Sequence, residues 1–356
     1  MDLLRGSIED PASLRDLPGI DAAGLRRVTD VYPMRINPYV LGLIRAFGAS
    51  VARQFIPDLR EIEDAFGMED PLAEETHSPV PCVTHRYPDR VLFRVSDVCG
   101  AYCRFCTRKR LVGRGQGITD SVIERGARYI EEHSAVHDVL LSGGDPLLLE
   151  DERLDWILGR LRPIGHLDFI RIGTRVPSVL PQRIMEKLVR VLAGHAPLYV
   201  NTHFNHPDEL TPEAMQALRL LADAGIPLAN QTVLLRGVND SYETLASLMR
   251  GLLRNRVRPY YLHQGDLTCG TNHFRTSIET GLAIMERLRG RVSGMAIPTY
   301  VVDLPGGGGK VPLTPEYIVR LGGDSVELRN YEDRRYFYPL PQRILEEKGT
   351  YHASEI

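Results

Sequence analysis

The amino-acid sequence predicts an α/β protein organised around a partial barrel. From about residue 86 to residue 311, apolar runs of strand length alternate with segments of helical period. Repeated strand–helix units favour parallel strands joined by right-handed crossovers, and six or more of them indicate a barrel or part of one. The chain has 356 residues, 43% of them hydrophobic, which is enough for one large core with accessory segments.

Residues 1–85 are predicted to form a helical N-terminal segment interrupted by prolines. One helix is expected to begin at I-N-P-Y-V-L, because Asn37 can cap it and Pro38 suits its first position. An irregular link, E-D-P-L-A-E-E-T-H-S-P, is expected to lead into the barrel. We identify no candidate catalytic residue before Arg86.

The barrel domain, residues 86–311, is predicted to contain seven strands, at 91–96, 138–142, 169–174, 198–203, 228–235, 258–263 and 299–303. The helices between them are predicted near 119–133, 151–162, 181–194, 211–224, 241–254 and 276–290. Thr119, Thr211 and Ser241 are expected to cap three helices, and Gly225 to end one. Residues 312–356 are expected to form a short C-terminal extension, with a strand or hairpin and then a frayed end.

Composition excludes several classes of partner. A formal net charge of −3 gives no reason to expect nucleic acid or a membrane surface as a partner, and no apolar run approaches the ~18 residues of a membrane span. The N-terminus has no signal-peptide pattern. Five cysteines, three of them clustered, favour a reducing and therefore cytoplasmic compartment over a disulfide framework. Cys82 and Cys269, outside the cluster, are expected to be buried or half-buried thiols.

The clustered cysteines are Cys99, Cys103 and Cys106, spaced four and three residues apart. A [4Fe–4S] cluster normally takes four thiolates, so three would leave one iron open for chemistry. One face of a helix and a zinc site are the alternatives. Neither is favoured, because no Cys or His pair follows at zinc-finger spacing and the segment is rich in basic residues suited to bound anions, namely Arg104, Arg108, Lys109 and Arg110.

The C-x3-C-x2-C motif resembles the signature of the radical S-adenosylmethionine (SAM) enzymes, whose open iron binds SAM. The resemblance continues through S-G-G-D-P, N-T-H-F-N-H-P, N-Q-T-V-L-L-R-G-V-N-D and P-G-G-G-G-K. Over roughly residues 30–330 these five motifs together resemble the lysine 2,3-aminomutase family. The resemblance implies a partial (β/α)6 TIM-like barrel of the radical SAM type, with a [4Fe–4S] cluster, SAM and pyridoxal 5′-phosphate (PLP) as cofactors.

Most of the motif residues fall at or just past the carboxyl end of a predicted strand, where barrel enzymes build their sites. Lys310 ends P-G-G-G-G-K, which lacks the P-loop pattern. The resemblance makes Lys310 the catalytic lysine that carries PLP; a mobile surface loop is the alternative. It also points to Arg86, Tyr87 and Arg90 as PLP-binding, although surface ion pairs, for example with Asp89, would explain them equally well.

The resemblance implies SAM contacts from two strand ends and one strand interior, namely Ser142, Gly143, Gly144, Asp145, His203 and Gln231. The glycines would let backbone approach a ligand, but a tight turn would also need them. For the substrate, the resemblance assigns Arg108 to the α-carboxylate, and Asp266 and Asp303 to the distal ammonium of lysine. Two acids favour a cationic side chain, because a buried ammonium is costly without carboxylate partners. A helix cap is the alternative for Asp266.

The activity implied by the resemblance is that of an isomerase, the 2,3-migration of an amino group between L-lysine and L-β-lysine. A basic amino acid as substrate, a one-electron reductant of the flavodoxin or ferredoxin type, and assembly as a homo-oligomer are expected with it. Three alternatives stay open: another basic amino acid such as ornithine or arginine, β-lysine supply for elongation factor P modification, and an inactive iron–sulfur regulatory protein. No cysteine follows Cys269, so the cysteine-rich zinc segment of some relatives is not expected.

Overall fold

A nine-stranded sheet forms an open barrel at the centre of the computed structural model, which describes residues 2–115, 117–322 and 324–340. The strands follow one another in chain order across the sheet. Strands β2 to β8 are all parallel, and the outer strands β1 and β9 run antiparallel to their neighbours. The strands are β1 (Val83–Tyr87), β2 (Arg90–Ser96), β3 (Asp138–Gly143), β4 (Phe169–Gly173), β5 (Leu198–Thr202), β6 (Leu228–Val233), β7 (Val257–His263), β8 (Thr299–Leu304) and β9 (Gly309–Pro312).

Among the described residues, three α-helices precede the barrel, namely α1 (Ala22–Thr29), α2 (Pro38–Phe47) and α3 (Ala49–Phe55). The Asn37 side chain caps α2 as predicted, accepting a hydrogen bond of 2.9 Å from the Val40 N–H. Its amide also donates to the carbonyls of Gly100 and Val179, at 3.0 and 2.8 Å. Apolar residues of this segment share a small core with Ala101. The N-terminal segment therefore packs against the loop that carries the clustered cysteines (residues 97–113, the cysteine loop) and helps to hold it on the barrel.

Six crossovers connect the seven parallel strands, which confirms the predicted partial (β/α)6 barrel. Their helices are α4 (Asp120–Glu132), α5 (Asp151–Leu161), α6 (Val176–Val179), α7 (Glu186–Gly194), α8 (Pro212–Asp223), α9 (Tyr242–Arg254) and α10 (Ile278–Leu288). The helix predicted to begin at 181 begins at Glu186, because Pro181–Arg183 forms a separate 3-10 turn. The prediction missed β1 and β9, which are short and lie at the two edges of the sheet.

The predicted helix ends can be checked from their hydrogen bonds. Thr211 and Ser241 accept from the backbone N–H groups of Ala214 and Thr244, at 3.1 and 3.2 Å. Gly225 follows α8 with a φ of +78°, which confirms it as the helix stop. Thr119 occupies the cap position of α4, but its hydroxyl pairs with the Ser121 hydroxyl instead of capping the backbone, so that prediction was wrong in its chemistry.

Alternation along the strands separates the core from the barrel interior. In β3, Val139 and Leu141 are fully buried in the apolar core shared with the helices, whereas Leu140 and Ser142 line the central cavity. In β4 the same division places Ile170 and Ile172 in the core. The apolar half of each strand thus secures the fold, and the other half is free to carry polar groups.

The C-terminal extension contains a second, three-stranded antiparallel sheet, β10 (Ile318–Gly322), β11 (Ser325–Arg329) and β12 (Arg335–Pro339). This confirms the predicted strand or hairpin and adds a third strand. The predicted frayed end falls mostly in residues 341–356, outside the part of the chain that the structure describes. The division at residues 85 and 311 stays a prediction. No described helix combines the length and apolarity needed to cross a bilayer.

Candidate active site

A cavity of about 510 Å³ runs through the barrel interior. All sixteen residues predicted as site residues line it, including the three clustered cysteines and Lys310. Residues from every barrel strand contribute, together with the loops at the carboxyl ends of the parallel strands. The fold thus brings into one space motifs that are up to 224 residues apart in the chain, from Arg86 to Lys310.

The cysteine loop follows β2 and presents its thiols to the cavity. Cys103 Sγ accepts a hydrogen bond of 2.7 Å from Arg175 Nη1, and Cys106 Sγ accepts one of 3.4 Å from the Arg108 backbone N–H. Burial raises the pKa of Cys106 to about 11 and that of Cys99 well above its ordinary value, and neighbouring thiols add to both shifts. A bound metal is therefore what would make these groups thiolates. Neither Cys82 nor Cys269 lines the cavity.

The donor set fits an iron–sulfur cluster better than a single metal ion. Within the described ranges, no three His, Cys, Asp or Glu side chains are arranged to hold one ion. A [4Fe–4S] cluster bonds each thiolate to a different iron, so its ligands surround it and do not meet at a point. Three thiols opening on one cavity, with a guanidinium and a backbone N–H directed at sulfur, match that requirement.

The basic residues of the cysteine loop have different roles from those expected. Arg104 and Lys109 are buried and share the carboxylate of Glu61, with N···O distances of 2.5 and 2.8 Å. Arg110 pairs with Asp70 outside the cavity. Only Arg108 of the four faces the cavity, so the expectation that all four suit bound anions was wrong. Glu61 belongs to the N-terminal segment, which therefore neutralises charge beneath the loop.

The S-G-G-D motif forms the turn after β3, and its glycines meet backbone. A Cβ at Gly143 would lie 2.2 Å from the Ser96 carbonyl oxygen, and one at Gly144 would lie 2.4 Å from that of Val98. The Gly144 N–H donates to the Ser96 carbonyl at 2.6 Å. The glycines therefore allow this turn to pack on the start of the cysteine loop. Of the two explanations given for them, ligand approach and a tight turn, these contacts support the tight turn.

Asp145, His203 and Gln231 differ in how free they are to bind a ligand. The Asp145 carboxylate accepts from the Thr174 hydroxyl and the Arg175 N–H, both at 2.7 Å, so it holds the neighbouring loop. Burial, and next Arg175, lower the pKa of His203 well below its ordinary value, so its imidazole is neutral. Gln231 lies inside β6 and lines the cavity.

Lys310 lies in β9 directly across from Asp303 in β8. Its Nζ is 2.9 and 2.8 Å from the two carboxylate oxygens of Asp303. Arg86 approaches the same carboxylate, with Nη1 3.8 Å from Oδ1, and its Nη2 donates to the Leu72 carbonyl. The Arg86 Nε is buried without a hydrogen-bond partner, a donor that fits an anionic group such as a phosphate.

Tyr87 and Arg90 lie at the open seam of the barrel. The Tyr87 hydroxyl accepts a hydrogen bond of 2.8 Å from the Lys310 backbone N–H, which links β1 to β9. The Arg90 guanidinium lies 3.9 Å from the Tyr87 ring centre and 3.0 Å from Asp89. Arg90 thus forms the surface ion pair with Asp89 that was the alternative to PLP binding. The glycine-rich segment is not a free loop, since Gly309 and Lys310 pair with β8.

The two candidate substrate acids differ in protonation. Burial, and next the charge of Asp303, raise the pKa of Asp266 to about 7. Burial also acts on Asp303, but His263 and the cation of Lys310 outweigh it and lower the pKa of Asp303 to about 2. Near neutral pH Asp303 is therefore ionised and Asp266 is partly protonated.

Several cavity residues were missed by the sequence interpretation. Glu74 pairs with Arg108, and Arg175 contacts Cys103. Asn201 Nδ2 and His263 Nε2 are buried and have no hydrogen-bond partner in the structure. Arg175, Asn201 and His263 lie at or just past strand ends, so the strand-end rule applied to every polar residue would have found them. No sequence signal points to Glu74, which comes from the irregular link.

The family is decided by comparison with known proteins. Residues 93–249 match the family model described as "Radical SAM superfamily", and residues 285–356 match that described as "Lysine-2,3-aminomutase". The chain is 50% identical to the L-lysine 2,3-aminomutase of Methanococcus maripaludis over 92% of this chain and 78% of the relative. The chain belongs to the lysine 2,3-aminomutase family. It is therefore an isomerase of the radical SAM class.

Two further relatives of this chain carry the names of enzymes with different substrates. The L-lysine 2,3-aminomutase of Clostridium subterminale is 50% identical over 84% of this chain and 73% of the relative. The glutamate 2,3-aminomutase of Clostridioides difficile is 44% identical over 87% of this chain and 74% of the relative. Because relatives with both names match this chain, the choice between a cationic and an anionic substrate side chain depends on the charged residues of the cavity.

Proposed function

We propose that this chain is an L-lysine 2,3-aminomutase, which interconverts L-lysine and L-β-lysine with a [4Fe–4S] cluster, SAM and PLP. The observation that supports this best is the placement of two carboxyl groups, Asp266 and Asp303, in the same cavity as Lys310 and Arg108. An amino acid with a cationic side chain would find a partner for each of its charged ends in that arrangement.

The radical SAM part of the proposal draws on the cysteine loop. Cys99, Cys103 and Cys106 would hold the cluster and leave one iron for SAM. Arg175 would hydrogen-bond the Cys103 sulfur and so help to fix the cluster in place. Ser142, Gln231 and the neutral His203 line the same cavity as candidates for SAM contacts, together with Gly143, Gly144 and Asp145 of the S-G-G-D turn.

The PLP part draws on Lys310. Of the lysines that the structure describes, Lys109, Lys187 and Lys310, only Lys310 lines the cavity. Arg86 would meet the phosphate through its unpartnered Nε, and Tyr87 and Arg90 lie beside it at the seam. When bound, PLP supplies a carbonyl that forms an imine with an amino group and so makes the nitrogen able to migrate between adjacent carbons. Lys310 would be the side chain that holds it.

Specificity follows from charge. Asp303 is ionised and paired with cations, and Asp266 ionises readily when a cation approaches. A distal ammonium would satisfy both acids, whereas a distal carboxylate would be repelled by Asp303 in a buried site. This favours lysine over glutamate as the substrate. The barrel walls around the cavity would hold the reacting carbons in one orientation and limit their contact with bulk water.

The reductant of flavodoxin or ferredoxin type and the homo-oligomeric state remain predictions, and so do the roles of the single SAM and PLP contacts. The choice between lysine and a longer or shorter basic amino acid is made by experiment. Anaerobic, reconstituted enzyme would be supplied with PLP, SAM and dithionite, and offered L-lysine, L-ornithine, L-arginine, L-glutamate and L-alanine. L-lysine should give L-β-lysine with the highest kcat/KM. Preference for glutamate or alanine would overturn the proposal.

A further inference from the structure

We propose that Glu74 is a positioning residue, which holds the Arg108 guanidinium by one edge so that its free N–H groups face the α-carboxylate of the substrate. This inference rests on the proposed function, in which Arg108 binds that carboxylate. Glu74 lies in the link before the barrel, Arg108 lies in the cysteine loop two residues past Cys106, and both side chains line the cavity.

The contact between the two side chains is bidentate. Arg108 Nε lies 3.0 and 2.9 Å from the two Glu74 carboxylate oxygens, and Arg108 Nη2 lies 2.6 Å from Oε1. Arg108 Nη1 donates to the Ser142 hydroxyl at 3.3 Å. A guanidinium carries five N–H groups. With the Nε and one Nη2 hydrogen directed at Glu74 and one Nη1 hydrogen at Ser142, two N–H groups remain for a second anion.

Burial explains why Arg108 needs such a partner. The side chains of Arg108 and Glu74 are only 15% and 11% exposed. A buried guanidinium without a counter-ion is costly, and a long side chain without a fixed partner has many rotamers. Glu74 neutralises the cation and fixes the plane of its fork before a substrate arrives. Because it occupies only one edge, the substrate carboxylate has no need to displace it.

The backbone around Glu74 is held in place independently. Ala73 has a φ of +51°, a conformation that is unfavourable for alanine and is kept only where surrounding contacts impose it. The Asp70 carboxylate accepts from the N–H groups of Glu74 and Glu75, both at 3.0 Å. The Pro71 carbonyl accepts from the Gly306 N–H at 2.9 Å, which ties the segment to the loop before Lys310. These contacts direct the Glu74 side chain into the cavity.

The test compares two ligands on one reconstituted enzyme. L-lysine carries the α-carboxylate, and 1,5-diaminopentane carries both amines without it. Binding would be measured anaerobically by calorimetry on wild type, Glu74→Gln, Glu74→Asp and the neighbouring control Glu75→Gln. Glu75 is 75% exposed on its side chain and pairs with Arg110 outside the cavity. Iron and PLP content of each variant would be measured in parallel.

Glu74→Gln should weaken L-lysine binding by about ten- to a hundredfold, because a misaligned guanidinium loses hydrogen bonds to a charged group. Binding of 1,5-diaminopentane should change less than about twofold, and cofactor content should stay at the wild-type level. Glu74→Asp, which keeps the charge, should recover part of the loss, and Glu75→Gln should behave as wild type. KM for L-lysine should rise more than kcat falls.

Two results would overturn the role of Glu74. Tighter L-lysine binding in Glu74→Gln would mean that Glu74 competes with the substrate carboxylate. Equal loss of both ligands, or of iron and PLP, in both Glu74 variants would mean that the residue only supports the fold. The assignment of Arg108 to the α-carboxylate fails separately, if wild-type enzyme binds 1,5-diaminopentane as tightly as L-lysine. The activity itself is tested apart from this, by the turnover of the panel of amino acids.

Discussion

The Nζ atom of Lys310 and the carboxylate of Asp303 face each other across the β8–β9 hairpin, with N···O distances of 2.8 and 2.9 Å. If Lys310 holds PLP, its Nζ is joined to the cofactor and no longer offers a free ammonium to Asp303. Asp303 would then be available to another cation. Under the proposed function, the same carboxylate would pair with Lys310 before PLP is bound and with the ammonium of the substrate afterwards.

The first prediction concerns the lysine that carries PLP. The chain contains only Lys109, Lys187, Lys310 and Lys348. Borohydride treatment of PLP-loaded wild type, followed by peptide mass mapping, should find the pyridoxyl group on Lys310. Lys310→Ala should lose the label while keeping its cluster, and Lys187→Ala should label normally. A label on another lysine in wild type would remove Lys310 from the role.

The second prediction concerns the cluster. Substituting Cys99, Cys103 or Cys106 singly by Ala should abolish SAM cleavage and lower the iron content, because each thiolate bonds its own iron. Cys269→Ala is the control and should retain both, since Cys269 does not line the cavity. Iron analysis and the electron paramagnetic resonance signal of the reduced cluster would measure occupancy. Loss of the cluster from Cys269→Ala would show that the site is closed by a fourth cysteine.

The third prediction is a pH dependence of substrate binding. The pKa of Asp266 is raised to about 7, so this group is mostly protonated below that pH and ionised above it. A cationic side chain binds the ionised form, and L-lysine affinity should therefore increase as pH rises from 6 to 8. Calorimetric titration at several pH values would measure it. The rise should disappear in Asp266→Asn; a rise that persists there would belong to another group.

The fourth prediction separates the two acids from the rest of the site. Asp266→Asn and Asp303→Asn should each lower kcat/KM for L-lysine by about two to three orders of magnitude, since losing a charged partner in a buried site costs about 2–5 kcal/mol. The double variant should lose less than the sum of the two free-energy changes, because both groups would hold one ammonium. SAM binding should stay near the wild-type value. Normal lysine turnover in both single variants would refute the assignment.

The fifth prediction concerns the glycine turn. Gly144→Ala should destabilise the protein by several kcal/mol or prevent cluster loading, because the new Cβ would lie 2.4 Å from the Val98 carbonyl oxygen of the cysteine loop. Gly159→Ala, inside α5, has its nearest contact at 3.8 Å and should be neutral or stabilising by up to about 1 kcal/mol. Chemical denaturation and iron content would compare them. Equal stability of the two variants would contradict the packing role.

Much of this protein could be predicted from the sequence, because the deciding signals are local. The alternation of Val139 and Leu141 with Leu140 and Ser142 follows from the period of a strand, and the close spacing of the three cysteines brings their thiols to one cavity. Asp303 was predicted to face the cavity because it lies at the carboxyl end of a strand, and the structure places it there. Local order along the chain was therefore sufficient for the parallel strands and for the sixteen predicted cavity residues, but not for the two edge strands or for cavity residues such as Glu74.

Only the tertiary structure decided which of these groups pair with one another. Three contacts join residues that are 34 to 72 positions apart in the chain, and no short pattern specifies them. They are Glu61 with Arg104, Glu74 with Arg108, and Arg175 with Cys103. The protonation of Asp266 and Asp303 likewise depends on burial and on neighbours from other strands. The sequence determined which chemical groups are available to the barrel. The protonation and orientation of each group, and the hydrogen-bond donors that it leaves free, depend on distances to neighbours that only the folded chain brings close.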